Sequence, residues 1–152
     1  MDLTNLSDIK ALLARHGFHF SKSMGQNFLI ESWVPRDIAH SAQLDNTCGV
    51  LEIGPGIGPL TVQLAQQAAK VVSVELDKSL LPILEETVGG FGNVEIVPGD
   101  VMKLNIPQLV EEKFQGLTPM ACANLPYNIT TPVITLLLES GCFRRVTVMI
   151  QR

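Results

Sequence analysis

The chain has 152 residues, a formal net charge of −4, and 46% hydrophobic against 17% charged residues. That length suits one domain that buries a core without disulfides, and the apolar fraction excludes a disordered chain. No apolar run reaches the roughly 18 residues of a membrane helix, and Met1-Asp2-Leu3-Thr4-Asn5 lacks the cationic start and apolar stretch of a secretory signal. A soluble, cytoplasmic protein is the expectation.

Leu6, Ile9, Leu12 and Leu13 recur at helical spacing, and Gly17 offers a left-handed stop. Between Asp8 and Glu31 there is no acid, while Lys10, Arg15 and Lys22 stand with His16 and His19, interleaved with Phe18, Phe20 and Phe28. Such a stretch suits phosphates and unstacked bases. On composition alone an amphipathic helix and a loop packed on the core account for it better, and the net charge does not advertise a nucleic-acid binder. A polar loop over 21–27 and a helix over 35–42 complete an amino-terminal segment, residues 1–48.

From residue 49 the texture changes. Apolar runs at 49–53, 71–75, 94–97, 120–123 and 145–150 read as strands, separated by helical patterns at 60–68, 79–88, 107–114 and 132–140. This alternation predicts an α/β fold with a doubly wound parallel sheet covered on both faces. Val71-Val72-Ser73-Val74 is apolar on both sides, as a covered strand should be. The run Arg145 to Ile150 reads as an interior strand. Cys48, Cys122 and Cys142 form no C-x-x-C pair and are expected to be buried free thiols in a reducing compartment.

Each of the first four predicted strands ends in a group able to meet a ligand. The first runs into Gly54-Pro55-Gly56-Ile57-Gly58-Pro59, where glycines let the backbone turn sharply and approach a ligand before a helix that Pro59 can start. The spacing is G-x-G-x-G, not the G-x-G-x-x-G of dinucleotide loops. The second ends at Glu75, 21 positions after Gly54, where a carboxylate can accept both hydroxyls of a ribose; Asp77 reads as a helix cap. The third runs into Asp100, which suits either the exocyclic amine of adenine or the start of a turn. The fourth delivers Asn124-Leu125-Pro126-Tyr127. There the Asn oxygen and a nearby carbonyl can accept both protons of a planar amino group, the proline stiffens the turn, and the tyrosine offers a stacking face. Together they suit an extruded base.

Five segments carry a resemblance: Ser23-Met24-Gly25-Gln26-Asn27-Phe28-Leu29, Glu52-Ile53-Gly54-Pro55-Gly56-Ile57-Gly58, Val74-Glu75-Leu76-Asp77, Gly99-Asp100 and Asn124-Leu125-Pro126-Tyr127-Asn128-Ile129. With them the chain resembles the ribosomal RNA small-subunit adenine dimethyltransferases, which have the Rossmann-like class I S-adenosylmethionine-dependent methyltransferase fold. Thr130-Thr131-Pro132 after the last motif favours the housekeeping small-subunit branch over the antibiotic-resistance branch acting on large-subunit RNA.

The resemblance implies S-adenosyl-L-methionine as cofactor and N6,N6-dimethylation of two adjacent adenosines near the 3′ end of 16S rRNA in the pre-30S particle, during ribosome biogenesis. It implies that Asn27 and Leu29 close over the methionine end, that Gly54 lies against the cofactor, that Glu75 holds the ribose, and that Asp100 holds the adenine amine. Asn124 contributes to both the cofactor pocket and the target amine, with Leu125 and Pro126 beside it and Tyr127 stacked on the target base. Hydrogen bonds to Asn124 and the Leu125 carbonyl then favour a more tetrahedral, more nucleophilic nitrogen. No strong base, metal or membrane is implied.

By the same resemblance, residues 49–152 are a methyltransferase core truncated after strand five, without the family's carboxy-terminal helical domain. Such a chain is expected to bind cofactor, to have little activity alone, and to self-associate through the exposed strand-five edge. A non-catalytic RNA-binding assembly factor and a nicotinamide-dependent dehydrogenase are the competing readings; the loop spacing and N-L-P-Y argue against the second.

Overall fold

The computed structural model describes residues 1–18 and 33–151. The loop over 21–27 and the residues His19, Phe20, Lys22, Asn27, Phe28 and Leu29 lie outside the described residues. Helix α1 (Leu6–Arg15) is capped by Asn5, whose side chain accepts from the Asp8 N–H, and it buries Ile9, Leu12 and Leu13. Helix α2 (Trp33–Ser41) follows. The alternating part then runs β1 (Cys48–Ile53), α3 (Pro59–Gln67), β2 (Lys70–Glu75), a 3-10 turn (Lys78–Leu80), α4 (Leu81–Val88) and β3 (Val94–Pro98). A second 3-10 turn (Val101–Lys103), α5 (Ile106–Lys113), β4 (Thr118–Pro126), α6 (Tyr127–Ser140) and β5 (Arg145–Gln151) complete it.

All five strands are parallel, in the order β3-β2-β1-β4-β5. Side chains alternate across the sheet with period two. Cys48, Val50, Val71, Met120 and Cys122 meet Val34, Ile38 and Ala39 of α2 and Leu60 and Leu64 of α3. Leu51, Ile53, Val72, Val74, Ala121, Ala123 and Leu125 meet Ile106 and Leu109 of α5 and Val133 and Leu137 of α6. The doubly covered parallel sheet is therefore as expected. A third cluster joins α1 to Ile57, Leu80 and Ile83, so the first helix packs beside the turn that follows β1.

Several boundaries differ from the sequence reading. β4 is nine residues long, not four, and carries Asn124, Leu125 and Pro126 as strand residues. Helix α6 begins at Tyr127, with Pro132 inside it, instead of starting at Pro132. The helix over 79–88 is a 3-10 turn followed by α4. Among the described residues β3 and β5 are edge strands: β3 is half-buried from Val94 to Val97 with Pro98 exposed, and β5 pairs with β4 and leaves Ile150 exposed. Cys48 and Cys122 are buried free thiols, but Cys142 is only half-buried, in the turn after α6.

Two contacts lock the sheet to its helices. Asn93 Nδ2 donates to the Ala65 and Ala68 carbonyls at 2.9 and 3.1 Å, closing the carboxyl end of α3 just before β3 begins. At the start of β1, the Phe114 ring lies on Gly49, where a Cβ would stand 2.3 Å from Phe114 Cδ1. Gly49→Ala forces an overlap in a packed layer, and urea unfolding is expected to show a loss of about 1–3 kcal/mol. Adding Phe114→Leu should recover part of it. Unchanged stability in Gly49→Ala would refute the contact's importance.

Candidate active site

Strands β1 to β4 end at the same edge of the sheet, and the chain leaves β1 toward β2 but reaches β4 on its other side. A crevice opens where the winding reverses, which is where open parallel sheets bind ligands. The four strand ends deliver Gly54, Glu75, Asp100 and Asn124, with Leu125, to one cavity of about 420 Å³. That size suits a small organic ligand. A wider cleft of about 700 Å³, between the amino-terminal turn, α2, α3 and α4, contains none of the residues that the sequence assigns to the cofactor or the target base.

The turn after β1 is shaped by glycines for two different reasons. Gly54 has φ +69°, donates its N–H to the Val74 carbonyl at 2.9 Å, and lines the cavity; a Cβ there would meet nothing. Its bare backbone is a surface that a ligand can lie against. Gly58 has φ +106°, and a Cβ there would stand 2.9 Å from Val88 Cγ1, so this glycine serves packing. Pro59 then occupies the first turn of α3, as expected.

Glu75 is buried, and both of its oxygens are engaged. Oε1 accepts from the Gly56 N–H at 3.1 Å and Oε2 from the Asp77 N–H at 3.0 Å. Burial holds its carboxyl above the usual value, opposed by these two bonds. Asp77 caps the turn after β2 through Ser79, as expected. Asp100 starts a turn, its Oδ1 accepting from the Met102 N–H at 2.9 Å, and the residue also lines the cavity.

Asn124 Oδ1 is buried and has no hydrogen-bond partner, one of two such side-chain oxygens among the described residues. A buried acceptor without a donor costs free energy until a donor arrives. Pro126 and Tyr127 enter by their backbone, as the end of β4 and the start of α6. Asn27 and Leu29 lie outside the described residues. Among the described residues no group of three or more His, Cys, Asp or Glu could hold a metal ion, and no helix is long and apolar enough to cross a membrane.

The sequence reading missed two features. Leu76, Met102 and Ile129 form an exposed apolar rim, with Leu76 67% exposed. Each directly follows or nearly follows a singled-out residue, which was the available signal. The second is Glu52, quoted in a motif but given no role. Its side chain is buried among apolar residues, where Oε1 accepts from the hydroxyls of Thr61 and Ser73, the latter at 2.6 Å. Burial pushes its carboxyl up to about 7, and the nearby Glu75 charge adds to this.

Comparison with known proteins adds the following. The family described as ribosomal RNA adenine dimethylase matches residues 17–152. Ribosomal RNA small subunit methyltransferase A of Geobacillus sp. (strain WCH70) is 46% identical over 153 residues, covering 99% of this chain and 53% of the relative. The protein of the same name from Streptococcus sanguinis (strain SK36) is also 46% identical, over 100% of this chain and 53% of its own length. The chain thus spans about half the length of the curated relatives it matches. Among solved structures, the 23S rRNA methyltransferase ErmE superposes with TM-score 0.70 at 30% identity, covering 80% of this chain and 47% of that one. An RNA methyltransferase from Salinibacter ruber, in complex with S-adenosyl-L-homocysteine, shares the fold at TM-score 0.59 and 19% identity, covering 73% of this chain and 69% of that one.

The buried Glu52 makes stability depend on pH with a defined sign. Its ordinary value is 4.5 and its value in the fold about 7, so through that interval the folded chain keeps a proton that the unfolded chain releases. The group's contribution is fully present below the unfolded value and is lost as pH rises through the folded one, by about 3 kcal/mol in all. Glu52→Gln still accepts from both hydroxyls and cannot ionise. Urea unfolding is expected to favour the variant over wild type increasingly from about pH 5 to 8. A difference that stays constant over that range would contradict the assignment.

Proposed function

Because the chain belongs to the ribosomal RNA adenine dimethylase family, we propose that it is the cofactor-binding portion of an S-adenosylmethionine-dependent enzyme that dimethylates N6 of adenosines in small-subunit rRNA. The observation that carries this reading is the convergence on one cavity of Gly54, Glu75, Asp100 and Asn124, whose buried amide oxygen has no hydrogen-bond partner. The substrate is small-subunit rRNA in the pre-30S particle, in the cytoplasm, where free thiols such as the buried Cys48 and Cys122 persist.

The residues present fit the cofactor. Gly54 offers bare backbone beside open space, Glu75 and Asp100 offer carboxylates, and Leu76 and Met102 offer apolar surface at the rim. When bound, S-adenosylmethionine supplies an electrophilic methyl group on a sulfonium. In this reading residues 49–152 are the methyltransferase core, while residues 1–48 contribute Asn27 and Leu29 to closing the pocket. Glu75 accepts the ribose hydroxyls on lone pairs left over from its two backbone bonds, and Asp100 accepts from the adenine amine.

The chemistry of the target falls to β4. An adenine amine is a poor nucleophile because its lone pair is delocalised into the ring. The Asn124 oxygen and the Leu125 carbonyl accept its two protons and favour the pyramidal form. Pro126 stiffens that stretch, and Tyr127 stacks on the base. Positioning and fixed dipoles supply most of the acceleration. The chain spans about half the length of its curated relatives, and the part assigned to it is cofactor binding.

Glu75→Ala removes the ribose acceptor and also releases the Gly56 and Asp77 N–H groups. Calorimetry with S-adenosylmethionine is expected to show at least about tenfold weaker binding. Glu75→Gln keeps one carbonyl acceptor and should fall between. Equal affinity in Glu75→Ala would sink the assignment.

A second test separates the target site from the cofactor. In a full-length context Tyr127→Ala is expected to cut labelled-methyl incorporation into unmethylated small subunits, with cofactor affinity within about threefold of wild type, because stacking is worth roughly 1–3 kcal/mol. Tyr127→Phe keeps the ring and should keep much of the activity. A phenylalanine variant as inactive as the alanine one would shift the role from the ring to the hydroxyl.

A further inference from the structure

We propose that Glu52 is a positioning residue for the cofactor pocket: through Thr61 and Ser73 it fixes the start of α3 and the strand bearing Glu75. The inference rests on the cofactor reading above. Glu52 does not line the cavity, whereas its neighbours Ile53 and Gly54 do. By the alternation of β1 its side chain lies with Val50, on the α3 face of the sheet. It therefore acts through other residues and not by touching the cofactor.

What it joins are two elements behind the pocket: α3, which follows the turn that Gly54 opens, and β2, which carries Val74 and Glu75 into the cavity. Thr61 is in the first turn of α3, directly after the glycine turn, and Ser73 pairs with Glu52 in register on β2, two residues before Glu75. One carboxylate oxygen accepts from both hydroxyls. Thr61 and Ser73 are themselves fully buried, so removing the acceptor would leave two buried donors without a partner. The glycine turn and the Glu75 strand are tied a second time by the bond from Gly56 N–H to Glu75.

The surroundings give the proton linkage its sign. Glu52 is faced by Thr61 from α3, by Ser73 from β2 and by Cys122 from β4, whose thiol is pushed up to about 12 by burial and by Glu52 and so stays neutral. From α2 come Val34, Ile38 and Ala39, with Arg36, Asp37 and His40 exposed, and from β5 comes Met149. The charge that acts on Glu52 is that of Glu75. A ligand seated over Glu75 excludes the water that screens the two carboxylates from each other. Their repulsion then grows, and Glu52 holds its proton more tightly. Binding near neutrality is thus linked to proton uptake from solvent, and affinity falls as pH rises through the Glu52 transition.

The test is calorimetry of S-adenosylhomocysteine, a net-neutral probe, with the 152-residue chain in buffers of different ionisation enthalpy at about pH 7. Wild type is expected to take up a fraction of a proton on binding. Glu52→Gln should bind within about threefold of wild type at about pH 6 and take up none. Ser73→Ala removes one donor to the carboxylate and should move the midpoint of the pH dependence upward, which a merely structural role would not do. Glu52→Leu, if it folds, should weaken binding about tenfold. Proton uptake unchanged in Glu52→Gln, or an unmoved midpoint in Ser73→Ala, overturns the inference and leaves the cofactor reading standing. Absence of any binding by wild type overturns both.

Discussion

β1 is hydrogen-bonded along both edges by strands that run its own way, and the site follows from that constraint. Parallel neighbours cannot be joined by tight turns, so every connection crosses the sheet through a helix. The chain winds from β1 outward to β2 and β3, then returns to the other side for β4 and β5. Above the carboxyl end of β1 the connections diverge and cannot fill the space between them. Gly54, Glu75, Asp100 and Asn124 are far apart in the sequence and share only their position at, or just past, the end of a strand. Hydrogen bonding of the backbone brings them together before any side chain is considered.

Polar groups carry unequal burdens around this crevice. Glu75 is preorganised: two backbone N–H groups already fix its carboxylate, so a ligand meets an acceptor that has little freedom left to lose. Asn124 is the opposite case, an amide oxygen held in a buried position with its donor missing. Glu52 is a third kind, a carboxylate sunk in an apolar layer and tolerated because hydroxyls from α3 and β2 reach it. Its effect passes through the backbone that it ties down.

How much of this the sequence shows depends on the residue. The five strands are legible because doubly covered parallel strands are apolar runs with turn residues between them. The start of α6 is not. Pro132 looks like a first-turn proline, yet the helix begins at Tyr127, so the proline sits where its missing N–H would have met the Asn128 carbonyl. β4 runs beyond the apolar residues 120–123 to take in Pro119 and Pro126, which are poor strand residues. Of the site, Gly54, Glu75, Asp100, Asn124 and Leu125 are where their motifs place them. The part of Glu52 is invisible in one dimension, since it depends on a hydroxyl in another element facing the same side of the sheet. The edge character of β3 is equally hidden, because apolarity reports burial and not the number of neighbours; the open edge of β5 is expected from the resemblance alone.

The amide of Asn93 has a consequence at the other end of its strand. Among the described residues β3 is paired with β2 alone, and a strand so held can slip along its neighbour; a slip of a single residue turns every side chain to the opposite face. Asn93 resists this from outside the sheet. Its side chain is bound to two carbonyls of α3 while its own carbonyl accepts from the Val71 N–H, so the strand enters the sheet at one fixed position. Gly99 and Asp100 follow at a fixed count from that anchor. The carboxylate that completes the cavity is thus indexed by a helix end remote from it, and a lost side-chain amide would show itself as a shift of frame, with Asp100 carried out of alignment with Glu75.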